Sequence, residues 1–215
     1  MPVLQEQYLS LRKDLSKRKI CLVAVSKLKP VLEIQELYDL GQRDFGENYV
    51  QELLEKAEHL PNDIRWHYIG HLQTNKVKQI VPFVQLIHSV DSLKLAHEIN
   101  KQAKKIDKKV DILLQVYIAE EETKFGLDEE ELKALLEKLP SLSHLRYRGL
   151  MGMASFSDDP AQVRKEFSQL NQLFKKYGPD EDGILSMGMS SDHEIAIEEG
   201  SNLVRIGSLI FGERK

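Results

Sequence analysis

Cysteine is almost absent from this sequence: the one thiol, Cys21, lies inside an apolar run. A single cysteine cannot close an internal disulfide, which rules out a disulfide-stapled scaffold and suits a reducing compartment. Its packing role is that of a small hydrophobe. Long apolar runs are also missing, and no charged N-terminal segment leads into an apolar stretch, so neither membrane spanning nor secretion is expected. Positive charge is not in excess. Lys and Arg number 30 against 34 Asp and Glu, for a net charge of −4, which gives no basic footprint for nucleic acid. Walker-type loops, low-complexity tracts and internal repeats are absent as well. We therefore expect a cytoplasmic chain with no nucleic-acid or membrane partner. With no obvious interface stripe, a monomer is expected.

What is present is ample material for a core. The chain has 215 residues, 41% hydrophobic and 30% charged, enough for a single domain over 1–215. Apolar periodicity predicts a helix over 2–17, with Val3, Leu4, Tyr8, Leu11 and Leu15 on one side. Strands are predicted near 20–26, 44–48, 65–70, 84–88, 110–118, 145–151, 184–187 and 203–206. Helices fall between nearly all of them. Pro30 and Pro160 open two, Gly41 and Gly178 close two, and Asp91 is the expected N-cap of another. Eight alternating units favour a (β/α)8 TIM-type barrel with an extra N-terminal helix over a doubly wound sheet. Trp66 reads as a core aromatic at the helix–barrel interface. His67 and His71 are four apart, but Gly70 intervenes and His67 sits in a strand, so a structural histidine is favoured over a zinc ligand. The basic cluster at 101–109 reads as a solvated helix end, and Glu120-Glu121-Glu122 as a solvated loop.

The first strand, Ile20 to Ser26, runs into Lys27, at the carboxyl edge where such sheets place their chemistry. Apolar flanks desolvate an ammonium there and lower its pKa, giving an amine able to attack an aldehyde. The bland alternative is a lysine that caps the strand and points into solvent. Barrels frequently bind phosphate in the loops after strands seven and eight. Here these are Gly188-Met189-Ser190-Ser191-Asp192 and Arg205-Ile206-Gly207-Ser208. Glycine lets backbone approach an anion, serine donates, and Arg205 adds a permanent charge. Ser190 or Ser191 is also a candidate cap for the helix near 193; ordinary Gly/Ser turns remain the alternative. Strands one and eight become neighbours only if the barrel closes. A phosphate-bearing aldehyde would then satisfy both ends.

Six segments, in order, resemble a known family: 23–27 (VAVSK), 45–52 (FGENYVQE), 67–76 (HYIGHLQTNK), 149–153 (GLMGM), 186–192 (SMGMSSD) and 204–212 (VRIGSLIFG). The sequence is similar to the pyridoxal phosphate homeostasis proteins, whose fold resembles the N-terminal barrel of alanine racemase (fold type III). The resemblance covers about 22–212. It implies that Lys27 carries pyridoxal 5′-phosphate as an internal aldimine, with Ser190, Arg205, Gly207 and Ser208 near the phosphate. Arg205 could instead approach the pyridine nitrogen. Asn48 is implied on the ring side, with Met151 and Met153 lining the pocket. One departure is visible: Gln115-Val116-Tyr117 stands where the family pattern has Gln-Val-Asn, so Tyr117 could narrow the pocket, while Lys124 and Gly126 match.

The resemblance implies a carrier that stores, buffers or delivers the cofactor, with apo enzymes as candidate recipients, rather than an enzyme. The alternative is an amino-acid racemase or related enzyme using Lys27 as one acid–base group, which needs a second such group on the opposite face of the substrate carbon. A third reading, a barrel with a decorative lysine, predicts no visible absorbance.

Overall fold

Runs rich in Val, Ile and Leu form strands buried on both faces, as parallel pairing between helices requires. In the computed structural model, which describes residues 3–119 and 125–212, the elements follow one another as α1 Gln5–Lys17, β1 Cys21–Val25, α2 Val31–Asp39, β2 Asp44–Glu47, α3 Val50–His59 and β3 Arg65–Tyr68. Next come α4 Val77–Ile80, β4 Leu86–Val90, α5 Leu93–Lys105, β5 Val110–Gln115 and α6 Glu129–Lys138. Last are β6 Leu145–Met151, α7 Pro160–Tyr177, β7 Ile184–Ser186, α8 His193–Glu198, β8 Leu203–Ile206 and α9 Ser208–Phe211. The eight strands close into a parallel barrel in sequence order. The seam is the β1–β8 pairing, from Cys21 opposite Leu203 to Ala24 opposite Ile206. This is the expected (β/α)8 barrel.

The helix after β8 is a single turn, and α1 fills out the ring beside it. Leu4 N–H donates to the Ile210 carbonyl, and Tyr8 and Leu15 are buried in the main core. The Tyr8 hydroxyl donates to Gln42, whose amide in turn donates to the Leu22 and Asp44 carbonyls. The extra helix therefore packs on the side of the barrel against β1.

Local chemistry set several boundaries. The N-cap of α5 is Ser92, whose hydroxyl accepts from Leu95 N–H; the expected cap, Asp91, instead pairs with His71. Asp128 and Glu131 form a reciprocal capping box on α6, two orphan amides satisfied at once. In the basic cluster, Lys108 Nζ donates to the Val81, Pro82 and Val84 carbonyls, closing the chain end after α4. Gly149 sits where β6 bulges against β5. Its φ is +136°, and a Cβ there would lie 2.1 Å from the Ile184 carbonyl oxygen, so only glycine fits. The Glu120-Glu121-Glu122 loop and Lys124 lie outside the described residues. Among the described residues no helix is long and apolar enough to cross a membrane.

Candidate functional site

The carboxyl ends of the strands enclose a cavity of about 620 Å³, within the range of small-ligand pockets. Barrel closure makes it: Lys27, two residues past β1, faces the segments after β7 and β8 across the seam. Of the residues singled out from the sequence, Lys27, Asn48, Ser190, Arg205, Gly207 and Ser208 all line this cavity, as does Met153. Met151 is not among them. It is 1% exposed and packs inside the barrel with Leu86 and Leu113, because the parity of β6 turns it inward one layer below the mouth. Tyr117 is not a lining residue either. It lies beyond the end of β5, its N–H donating to the Leu127 carbonyl.

The two phosphate-candidate loops are joined to each other. Ser190 Oγ accepts from Gly207 N–H at 3.2 Å, so the expected role of a serine as cap of α8 does not hold; Asp192 is the N-cap residue and accepts from Met189 N–H instead. Ser208 begins α9, and the first-turn amides of a helix have no acceptor within it. Asn48 is placed by its neighbours. The Tyr68 hydroxyl donates to its carbonyl at 3.0 Å, and Gly70 lets the two segments touch, since a Cβ there would be 2.2 Å from that same oxygen. The side-chain Oδ1 of Asn48 is buried and without a hydrogen-bond partner, an acceptor aimed at something other than protein.

Arg205 is 4% exposed and turns into the barrel rather than toward the Ser190 and Ser208 loops. It donates to the Ser186 carbonyl and hydroxyl and to the Gly152 carbonyl. Burial brings it down to about 10, against the pull of Asp192, so it stays charged at neutral pH. From it a chain of side chains crosses the barrel: Ser186 Oγ to His88 Nδ1 at 3.2 Å, His88 Nε2 to His67 Nδ1 at 2.9 Å, His67 Nε2 to Asp44 at 3.1 Å. Ionised Asp only accepts, so His67 Nε2 donates to Asp44, while the roles in the His88–His67 and Ser186–His88 contacts follow the tautomers of the two rings. Burial, then the neighbouring His67 and Arg205, hold His88 well below the usual histidine range, which keeps that ring neutral.

Asp44 anchors the far end. Burial pushes its carboxyl up, but hydrogen bonds from Arg65 and His67 outweigh this and bring it down to about 2. A depressed carboxylate stabilises the fold above its unfolded value and loses that contribution as pH falls toward its folded one. The difference from 3.8 to about 2 corresponds to about 2 kcal/mol at neutral pH. Asp44→Asn is therefore expected to lower stability at pH 7 and to flatten the fall in stability between about pH 4 and pH 2, read by denaturant melts across that range. An acid limb as steep as in the wild type would refute it.

Lys29, Ile69, Phe156 and Leu209 also line the cavity and were not picked out from the sequence. Ile69 had a signal, its place in the 67–76 segment just past β3. Phe156 had none, lying in a polar stretch and 90% exposed. His67 and His71 diverge: His67 enters the barrel, while His71 stacks on Phe125 at 4.4 Å. Burial pushes the Cys21 thiol up to about 12, which makes it inert at neutral pH. An amine, hydroxyl and amide donors, a fixed cation and an unpartnered acceptor converge on one cavity. That donor set fits a phosphorylated aldehyde.

A closed parallel barrel with its lysine after β1 and its Gly/Ser segments after β7 and β8 defines the alanine racemase N-terminal class, and the family model described as "Alanine racemase, N-terminal domain" matches residues 3–215. Within that class the chain belongs to the pyridoxal phosphate homeostasis protein family. The member from Aquifex aeolicus is 45% identical over 198 residues, spanning 90% of this chain and 87% of its own. The Homo sapiens member is 44% identical over 209 residues, spanning 90% and 76%. The solved structure of PipY from Synechococcus elongatus with PLP bound is 37% identical, with a TM-score of 0.86 over 96% of this chain and 99% of that one. Alanine racemase from Bartonella henselae shares the fold at 18% identity, with a TM-score of 0.75 over 94% of this chain and 56% of the racemase.

Proposed function

We propose that this chain binds pyridoxal 5′-phosphate, attached reversibly at Lys27, and holds it for cytoplasmic storage, buffering or delivery. The observation that carries the reading is the juxtaposition of Lys27 with Ser190, Gly207 and Ser208 in one cavity, more than 160 residues apart in sequence. The bound cofactor supplies an aldehyde with which a primary amine condenses, releasing water. The protein's part is to present Lys27, to receive the phosphate on the Ser190, Gly207 and Ser208 side, and to keep the Arg205 cation at the cavity floor. The inward course of Arg205 favours the ring over the phosphate as its contact. Asn48 Oδ1 accepts from the ring side. Apo enzymes that take up the cofactor are the partners this function needs. Exposed Leu28, Tyr49 and Phe156 beside the mouth would meet them.

A holder is favoured over a racemase by the described lining. Its titratable side chains are Lys27, Lys29 and Arg205, none of them a tyrosine, cysteine or histidine suited to a second acid–base role. Lys29 Nζ already donates to the Phe211 carbonyl and sits 3.6 Å from Glu33. The test loads the protein with cofactor, dialyses, reduces with borohydride and maps the added mass. The mass is expected on the peptide containing Lys27, with no sustained α-proton exchange when the unreduced protein meets a panel of L-amino acids. Label elsewhere, or multiple turnovers, would overturn the reading.

A further inference from the structure

Lys27 stands in a strained turn. The Ser26 carbonyl accepts from Lys29 N–H at 3.0 Å, which makes Lys27 and Leu28 the central residues. Leu28 has φ +61°, a conformation for which such turns ordinarily use glycine. Something must hold a leucine there, and a buried charge cluster lies against both sides of the turn. Lys56, on α3 and 4% exposed, donates from Nζ to the Ser26 carbonyl, to Glu47 and to Glu52, each at 2.7 Å. Ser26 Oγ donates to Glu47 at 2.6 Å, and Leu28 N–H donates to Glu52. The residues before and after Lys27 are thus tied to one ammonium and its two carboxylates.

We infer that Lys56, with Glu47 and Glu52, is a positioning group that clamps the 26–29 turn and so aims Lys27 into the cavity. The cluster is poorly built for stability alone. The second oxygens of both Glu47 and Glu52 are buried without a partner, and buried ion pairs often gain little over apolar side chains of similar volume. What the cluster does achieve is to fix backbone on either side of one residue. The spacing of Glu52 and Lys56 is that of an ordinary surface pair on a helix, but burial and the third partner set it apart.

The inference rests on the proposed attachment at Lys27, so its test reads the apo and the loaded protein separately. Three forms are compared: wild type, Glu52→Ala, and the double variant Glu47→Gln with Lys56→Met, which removes the ammonium together with its most buried carboxylate and leaves Glu52 at a partly exposed position. In the apo protein, amide hydrogen exchange over 27–29 is expected to speed up in both variants, while exchange in β4 and β5 and the melting temperature of Glu52→Ala stay near wild type. In the loaded protein, loss of the visible band on dilution into a carbonyl scavenger is expected to be about tenfold faster or more, since small misplacement of a reacting group is costly. Unchanged exchange at 27–29, or faster exchange with an unchanged rate of band loss, overturns the clamp. A wild-type protein with no Lys27-dependent band overturns the attachment itself, a separate result. Should the double variant fail to fold, Glu52→Ala, at a partly exposed position, decides the matter.

Discussion

Lys27→Ala is expected to abolish the visible band that remains after the loaded protein is dialysed. The fold should survive the change. Lys27 is only partly buried, and its neighbours Ser26 and Leu28 hold the turn through backbone and hydroxyl groups; substitutions of that kind usually alter stability by no more than about 0.5 kcal/mol. Retention is another matter. Without the amine the cofactor keeps only its polar contacts, and affinity should fall on the order of 100-fold or more, equivalent to about 3 kcal/mol. Lys29→Ala is the control. Its ammonium lines the same cavity but is engaged by the Phe211 carbonyl and Glu33, so its loss should leave the band in place. Absorption spectra of the two variants, loaded and dialysed side by side, read the result. A band that persists in Lys27→Ala and vanishes in Lys29→Ala would move the attachment two residues along and remove the basis for the clamp.

Much of the barrel was readable in advance, for a simple reason. Strands buried on both faces become unbroken apolar runs, and helix ends carry proline and glycine, so β6, α7 and β8 fall where the pattern put them. The misplacements have local causes. The fourth strand was expected over 84–88 but is Leu86–Val90, because Val84 N–H is taken by the Ile80 carbonyl and completes the turn after α4. The fifth was expected to reach 118 but ends at Gln115, where the chain turns and Val116 pairs with Leu127 instead. The cavity was legible through its glycines, serines and lone strand-end lysine, since those residue types are demanded locally.

The polar machinery behind the cavity was not legible. Lys56 looks like half of a solvated helical pair until Glu47, at the end of β2, and Ser26, just past β1, arrive beside it. His88 looks like the end of a strand. Only closure sets it between His67, 21 residues before it in the chain, and Ser186, 98 residues after it. No local pattern specifies a contact of that separation. Met151 shows the same limit inside one motif: it and Met153 share a strand face, and only depth along the barrel, with Met151 ending β6 and Met153 two residues beyond it, decides which methionine reaches the cavity.

The second large effect expected is at Arg205, where two consequences must be weighed. Replacing it with methionine removes donors to the Ser186 hydroxyl and to the Ser186 and Gly152 carbonyls. The Ser186 carbonyl keeps the Gly152 N–H and the Ser186 hydroxyl keeps His88, so the Gly152 carbonyl alone loses its partner among these, a cost of about 1–3 kcal/mol. Against that, a buried charge is removed and a side chain of similar length fills the space, which offsets the loss in part. Folding should therefore change little. Cofactor binding loses a charge-assisted contact of about 1.5–3 kcal/mol, or roughly 10- to 100-fold in Kd. Lysine should not rescue it, since a point charge cannot span Ser186 and Gly152 as the guanidinium fork does. Comparing pyridoxal with its phosphate locates the contact. If Arg205 faces the ring, Arg205→Met weakens both ligands alike, whereas Ser208→Ala weakens only the phosphorylated one. A Kd for both ligands that matches the wild type would show that the cation at the cavity floor takes no part in binding, and a loss confined to the phosphate ester would place it with the anion-binding loops after all.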